Sequence, residues 1–234
     1  MKTMTVLITG SSSGIGRETA YAFARAGNNV ILTYHLGRGR GQAAERKCRT
    51  LGAPRTRLLG LDVRHEASVR SAARNVSRTF GRIDFLINNA GVGKFELFKK
   101  QGLIDLERQV RTNLEGLMRM TRHFLPLVRA GVINIASAAG EEAYAEMTIY
   151  CGTKFGVRGF TQALALEYPK LRIFCVNPDQ TATRLSGYVG RPASQVAEVV
   201  YRSAAGEIKV KRGGDVDVWE ALRRRPARRT KALE

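Results

Sequence analysis

A doubly wound α/β fold, a parallel sheet of about 6–7 strands with helices on both faces, is what this sequence predicts. Three observations predict it. Short apolar, β-branched runs alternate with longer segments of helical period. A glycine turn separates the first such run from the first helical segment. The length of 234 residues, with 44% hydrophobic content, fits one domain able to bury a substantial core.

Taken in order, strands are expected at residues 5–9, 29–33, 57–61, 83–88, 132–137 and 172–176, with a candidate seventh at 207–210. The segments between them read as helices at 15–26, 41–51, 66–80, 104–127, 149–167 and 194–205. Gly27, Gly52, Gly81 and Gly131 fall where helices should end, as left-handed C-cap positions. Past Gly213-Gly214 the composition turns polar and basic. Residues 1–212 are therefore expected to form the single domain, and 213–234 a basic extension with a short helix around Trp219 and Leu222 and a frayed end.

The chain carries 39 Lys+Arg against 20 Asp+Glu, a formal charge of +19. That balance fits nucleic acid, a membrane surface or an acidic partner without choosing among them. Only the stretch from Arg223 to Lys231 is a dense basic run, and no aromatics interleave it as base-stacking surfaces require, so nucleic acid is not expected. No apolar run approaches the roughly 20 residues of a membrane span, and the start lacks a secretory apolar region, so a cytoplasmic protein is expected. Cys48, Cys151 and Cys175, with His35, His65 and His123, have no metal-type spacing, and neither disulfides nor a metal site is expected. Cys151 reads as a space-filling bystander, because no nearby base would activate its thiol.

Chemistry enters with Gly10, Gly14 and Gly16, which follow the first strand and open the first helix. The helix N-terminus there offers unpaired N–H groups to a dinucleotide pyrophosphate, and glycine permits its close approach. Tyr150 and Lys154 stand one helical turn apart, with Ser137 thirteen residues upstream. This set fits proton transfer during hydride exchange. The phenol gives or takes the proton, the lysine cation lowers the phenol pKa, and the serine hydroxyl holds the substrate oxygen.

The GxxxGxG spacing of Thr9-Gly10-Ser11-Ser12-Ser13-Gly14-Ile15-Gly16 resembles the short-chain dehydrogenase/reductase family, and the resemblance extends over about the first 200 residues. Asn88-Asn89-Ala90-Gly91 is similar to the family's sheet-stabilising NNAG motif, and Leu61-Asp62-Val63 to its adenine-contacting Asp-Val. Asn113, Ser137, Tyr150 and Lys154 fall where the family's catalytic tetrad lies. The resemblance implies a Rossmann-type domain, NAD(P)-dependent oxidoreduction, and an Asn113 that organises a water relay to the lysine. It also implies cofactor contacts from Gly10, Ser12, Ser13, Gly14, Ile15, Gly16, Asn89, Ala90, Gly91, Pro178, Thr181 and Thr183. At the end of the second strand Tyr34 stands where an acid would receive the ribose of NAD, and His35, Arg38 and Arg40 follow. NADP is favoured on that ground, with Arg17 as a further phosphate ligand.

Some positions depart from the family pattern. Asp179 replaces the glycine of a Pro-Gly segment beside the nicotinamide, where Asp would tolerate an unusual turn. Residues 184–192 make a short substrate lid and so an open pocket. Glu141 and Glu142 read as an exposed loop, and no glycine-rich closing strand follows at the C-terminus. The resemblance also implies a homodimer through the helices at 104–127 and 149–167. The expected substrate is a ketone, secondary alcohol or 3-oxoacyl group, and Arg129 and Arg172 are candidate contacts for an acidic acyl carrier protein. The alternative class is a non-catalytic nucleotide sensor or a polyanion-binding module using the basic tail; an intact tetrad argues against the sensor.

Overall fold

The computed structural model describes residues 3–223. The chain runs β1 (Thr5–Ile8), α1 (Gly14–Arg25), β2 (Asn29–Tyr34), α2 (Arg38–Thr50), β3 (Thr56–Gly60), α3 (Glu66–Phe80) and β4 (Ile83–Asn88). It continues with α4 (Leu103–Val110), α5 (Gly116–Phe124), β5 (Val128–Ile135), α6 (Thr148–Glu167) and β6 (Arg172–Asn177). The short pair β7 (Thr181–Ala182) and β8 (Arg191–Pro192) precedes α7 (Ala193–Ala204), β9 (Asp215–Asp217) and α8 (Val218–Arg223).

The sheet has seven parallel strands in the order β3-β2-β1-β4-β5-β6-β9. Its strands are apolar on both faces because helices cover both, and alternation sorts the side chains. Val6 and Ile8 pack with Phe23 of α1 and Val199 of α7, whereas Leu7 between them packs with Met120 and Phe124 of α5. The strand order reverses between β1 and β4, and a crevice opens there at the carboxyl ends of the strands. That crevice gathers the residues of the candidate site.

The structure corrects several expectations. The seventh strand is Asp215–Asp217, paired with β6, and residues 207–210 form none. The chain past Gly213 thus closes the sheet and continues into α8, so its described part is not a mere extension. The helix expected over 104–127 is interrupted by a π turn, Arg111–Glu115, in which the Gly116 N–H reaches the Arg111 carbonyl. Gly131 is no helix cap. It lies inside β5, where a Cβ would collide with the Arg172 carbonyl, so glycine there permits the strand pairing. The dense run from Arg224 to Lys231 lies outside the described residues.

Candidate active site

The glycine turn is set by backbone conformation. Gly10 has φ +66° and Gly14 φ +55°, which side chains rarely tolerate. A Cβ on Gly16 would stand 2.7 Å from the Gly10 carbonyl oxygen and would also meet the Asn89 amide. Asn89 explains this crowding, since its Nδ2 donates to the Thr9 carbonyl at 2.8 Å across the turn. In return the Thr9 hydroxyl accepts from the N–H groups of Asn89 and Ala90, both at 2.9 Å. Ser11 is fully buried and exchanges bonds with Thr33 of β2, which fixes the turn to the sheet. Ser13 caps α1 without a side-chain hydrogen bond. The cradle and the helix N-terminus therefore fit a dinucleotide pyrophosphate, with Ser12, Ser13, Gly14, Ile15 and Gly16 as the residues that would hold it.

At the adenosine end the expected residues converge, but several are engaged with one another. Burial raises the Asp62 carboxyl, yet hydrogen bonds from the Arg64 side chain and backbone, with His35, hold it down at about 2. Arg64 Nη2 lies 2.7 Å and His35 Nε2 3.2 Å from Asp62 Oδ2. Val63 packs into the core against α5 at Gly116. Arg38, expected in a loop, opens α2 and is exposed. The Arg40 guanidinium folds over Gly37, and exposed Arg17 pairs with its neighbour Glu18 at 2.9 Å.

Ser137, Tyr150 and Lys154 meet at the carboxyl edge. The Ser137 oxygen accepts from the Ala139 N–H at 3.1 Å, capping the short helical turn Ala138–Gly140 that follows β5. Burial pushes the Tyr150 phenol up to about 12; a hydrogen bond with Ser137 pulls against it and the Cys151 thiol adds to it. Lys154 is buried and donates to the Ile135 carbonyl at 2.8 Å, with its Nζ 5.5 Å from the Tyr150 ring centre. Burial pulls its ammonium down to about 8, against a small opposing effect of Cys175. The expected lowering of the phenol by the lysine is absent: desolvation dominates both groups, and the lysine is directed to a carbonyl. Asn113 is buried beside Thr153 of α6. Its amide is bidentate on the Val92 backbone, Oδ1 accepting and Nδ2 donating at 2.8 Å each, with Thr153 Oγ1 at 3.2 Å.

Comparison with known proteins places this geometry. The model of the short chain dehydrogenase family matches residues 4–193. The chain belongs to the short-chain dehydrogenase family. It is similar to the NADP-dependent 3-hydroxy acid dehydrogenase of Schizosaccharomyces pombe, 32% identical over 214 residues, 86% of this chain and 80% of that one. Its fold matches a Burkholderia cenocepacia short chain dehydrogenase in complex with NADP, with TM-score 0.85, 24% identity and coverage of 92% and 95%. It also matches the 3-oxoacyl-[acyl-carrier protein] reductase of Brucella melitensis in complex with NAD, with TM-score 0.85, 23% identity and coverage of 93% and 96%. The protein is an NAD(P)-dependent oxidoreductase with a Rossmann-type fold.

In this short-chain dehydrogenase the expected Asp179 turn needs no unusual backbone. Among the described non-glycine residues only Glu146 and Tyr188 have positive φ. Asp179 instead receives a two-point pair from Arg191, Nε at 2.8 Å and Nη2 at 2.6 Å. That pair, next to the β7–β8 ladder, ties both ends of the lid together. Thr183 caps the lid's first turn with its hydroxyl, and its methyl would lie 3.4 Å from a Cβ on Gly14. Thr181 Oγ1 donates to the carbonyl of Asp179, one residue past Pro178. Glu141 is not exposed as expected: it is drawn into a charged network with Arg158, Asn177 and Asp217. Arg172 is also spent, donating to the Ala204 and Ser203 carbonyls, while Arg129 sits near the amino end of β5, away from the carboxyl-edge crevice. Sequence reasoning missed Phe95, whose ring meets Tyr150 edge-on at 5.6 Å, and Leu185, which lies against Gly93 beside it. Neither belongs to a motif, so only the folded chain brings them to the phenol.

Proposed function

We propose that this dehydrogenase reduces a ketone with NADPH, Tyr150 giving the proton. The meeting of the Tyr150 phenol with the Ser137 hydroxyl, beside buried Lys154, carries this reading. When bound, the dinucleotide supplies the hydride. The glycine turn, Asn89-Ala90-Gly91 and the segment Pro178, Thr181 and Thr183 would hold and orient it. Tyr150, protonated at neutral pH, is a ready donor to an oxygen that becomes far more basic as the carbonyl is reduced. Ser137 would position that oxygen by a hydrogen bond, Lys154, 5.5 Å from the phenol ring centre, would hold the ribose, and Asn113 braces the loop at Val92.

The NADPH preference rests on Tyr34 standing where an acid would exclude a phosphate, and on Arg38, exposed four residues further along at the start of α2. The pocket mouth supports an apolar substrate flank. Leu185, Tyr188 and Val189 on the lid are 39%, 72% and 60% exposed, and Phe95 meets Leu185 at Gly93. A free ketone fits better than one on a carrier protein, since Arg172 is engaged and Arg129 lies at the other edge. Exposed Leu103 and Ile104 on α4 and Phe155 and Leu166 on α6 support a homodimer through these helices. No described helix is long and apolar enough to cross a membrane, and we infer a cytoplasmic enzyme.

The test is a panel of ketones of graded apolar size, followed by NADPH absorbance and repeated with NADH. The proposal requires turnover that rises with apolar size. It also requires kcat/KM at least about tenfold higher with NADPH, the worth of one good charge-assisted contact. No turnover of any ketone would overturn it.

A further inference from the structure

Arg158 stands four residues past Lys154, so Tyr150, Lys154 and Arg158 form one row along α6. Its guanidinium grips two elements at once. Nη1 donates to the Gly140 carbonyl at 2.6 Å, while Nε and Nη2 hold Asp215 of β9 at 3.0 and 2.8 Å. Glu141 Oε1 lies 3.3 Å from the same Nη2. From the end of β6, fully buried Asn177 directs its Nδ2 at Glu141, Asp215 and Asp217, at 2.7, 3.1 and 2.9 Å. Three acceptors on one side fix the orientation of this amide.

The turn held in this way is the one that follows Ser137. On its other side the Ala138 N–H donates to the Pro178 carbonyl at 2.9 Å. The turn also packs closely on α6, since a Cβ on Gly140 would lie 2.9 Å from the Lys154 carbonyl oxygen. Two carboxyl groups at one guanidinium, all three side chains largely withdrawn from water, are a poor source of stability compared with apolar packing. What two-point, charge-assisted bonds supply is fixed geometry.

Resting on the dehydrogenase reading above, the geometry points to Arg158 as a positioning residue that clamps the 138–141 turn to α6 and so holds the Ser137 hydroxyl at the Tyr150 phenol. Asp215 and Glu141 aim the guanidinium, and Asn177 and Asp217 complete the frame. Burial, then Asp217 and Asp215, against Arg158, raise the Glu141 carboxyl to about 7.

The experiment compares the unmodified full chain with Arg158→Met and Arg158→Lys. It measures kcat and KM for a ketone turned over by the unmodified protein, NADPH Kd by fluorescence titration, and amide hydrogen exchange over residues 136–142. Arg158→Met should lower kcat by about tenfold to a hundredfold, the cost of a small misplacement, with NADPH Kd within about twofold. It should also speed exchange at Ala138 and Gly140. Arg158→Lys keeps one donor for Gly140 but loses the fork, and should recover part of kcat. Faster exchange in the turn with unchanged kcat would overturn the inference. Unchanged exchange would do the same, as would a kcat loss matched by lost NADPH binding. If Arg158→Met does not fold, Arg158→Lys decides: lowered kcat with retained NADPH Kd supports the clamp, and unchanged kcat overturns it. An unmodified protein that turns over no ketone would instead sink the dehydrogenase reading, and this inference with it, whatever the exchange shows.

Discussion

Replacing Asn113 with alanine removes both bonds that hold the Val92 backbone, each 2.8 Å long. A stranded, fully buried polar group costs about 1–3 kcal/mol. Val92 is half-buried, so water recovers part of that, and the two losses together come to about 2–4 kcal/mol. For a domain of this size, about 2–4 °C of Tm goes with each kcal/mol, and the variant should melt roughly 5–15 °C lower. Calorimetry at pH 7 reads this directly. Asn113→Asp keeps the acceptor for the Val92 N–H but loses the donor to its carbonyl, and should fall between. The loss should also reach function. Val92 leads through Gly93 to Phe95, which packs on Tyr150, so kcat should drop further than cofactor affinity. An Asn113→Ala protein melting within about 1 °C of the unmodified one would refute the bracing argument, because two stranded groups cannot be that cheap.

Gly16→Ala would force a Cβ to 2.7 Å from the Gly10 carbonyl and should weaken NADPH binding at least about tenfold by fluorescence titration; an unchanged Kd would remove the turn from the cofactor site. Glu141 titrates at about 7, above its ordinary value, so the protonated form is the one the fold favours. Its stabilising contribution is full at low pH and is lost as pH rises through about 7. The Tm of the unmodified protein should therefore decline relative to Glu141→Gln between about pH 5 and 8; parallel curves would contradict this.

The fold was legible because its signal is local. Apolar runs, helical periods and glycine turns set six strands nearly where the structure has them, and Tyr150 and Lys154 share a helix that fixes their spacing. What escaped depends on contacts distant in sequence. The last strand, Asp215–Asp217, is three residues long and two of them are acids, which no strand pattern marks; it exists because β6 offers an open edge. Glu141 reads as a loop acid until Arg158, Asn177 and Asp215 are brought around it from three other elements. The charge on Lys154 and its spacing to Tyr150 led to a lowered phenol, but only the fold reveals how far both groups are desolvated. Asp179, a misfit in the family pattern, is explained by Arg191, twelve residues away.

The central claim is that Tyr150 is the proton donor of a ketone reduction. Single-turnover measurement of Tyr150→Phe with NADPH and a ketone accepted by the unmodified enzyme tests it most directly, since phenylalanine keeps the ring against Phe95 and removes only the hydroxyl. The account predicts a rate lowered by about 10²–10⁴-fold with NADPH affinity and Tm retained. A variant that keeps more than about a tenth of the rate would show that the proton comes from elsewhere.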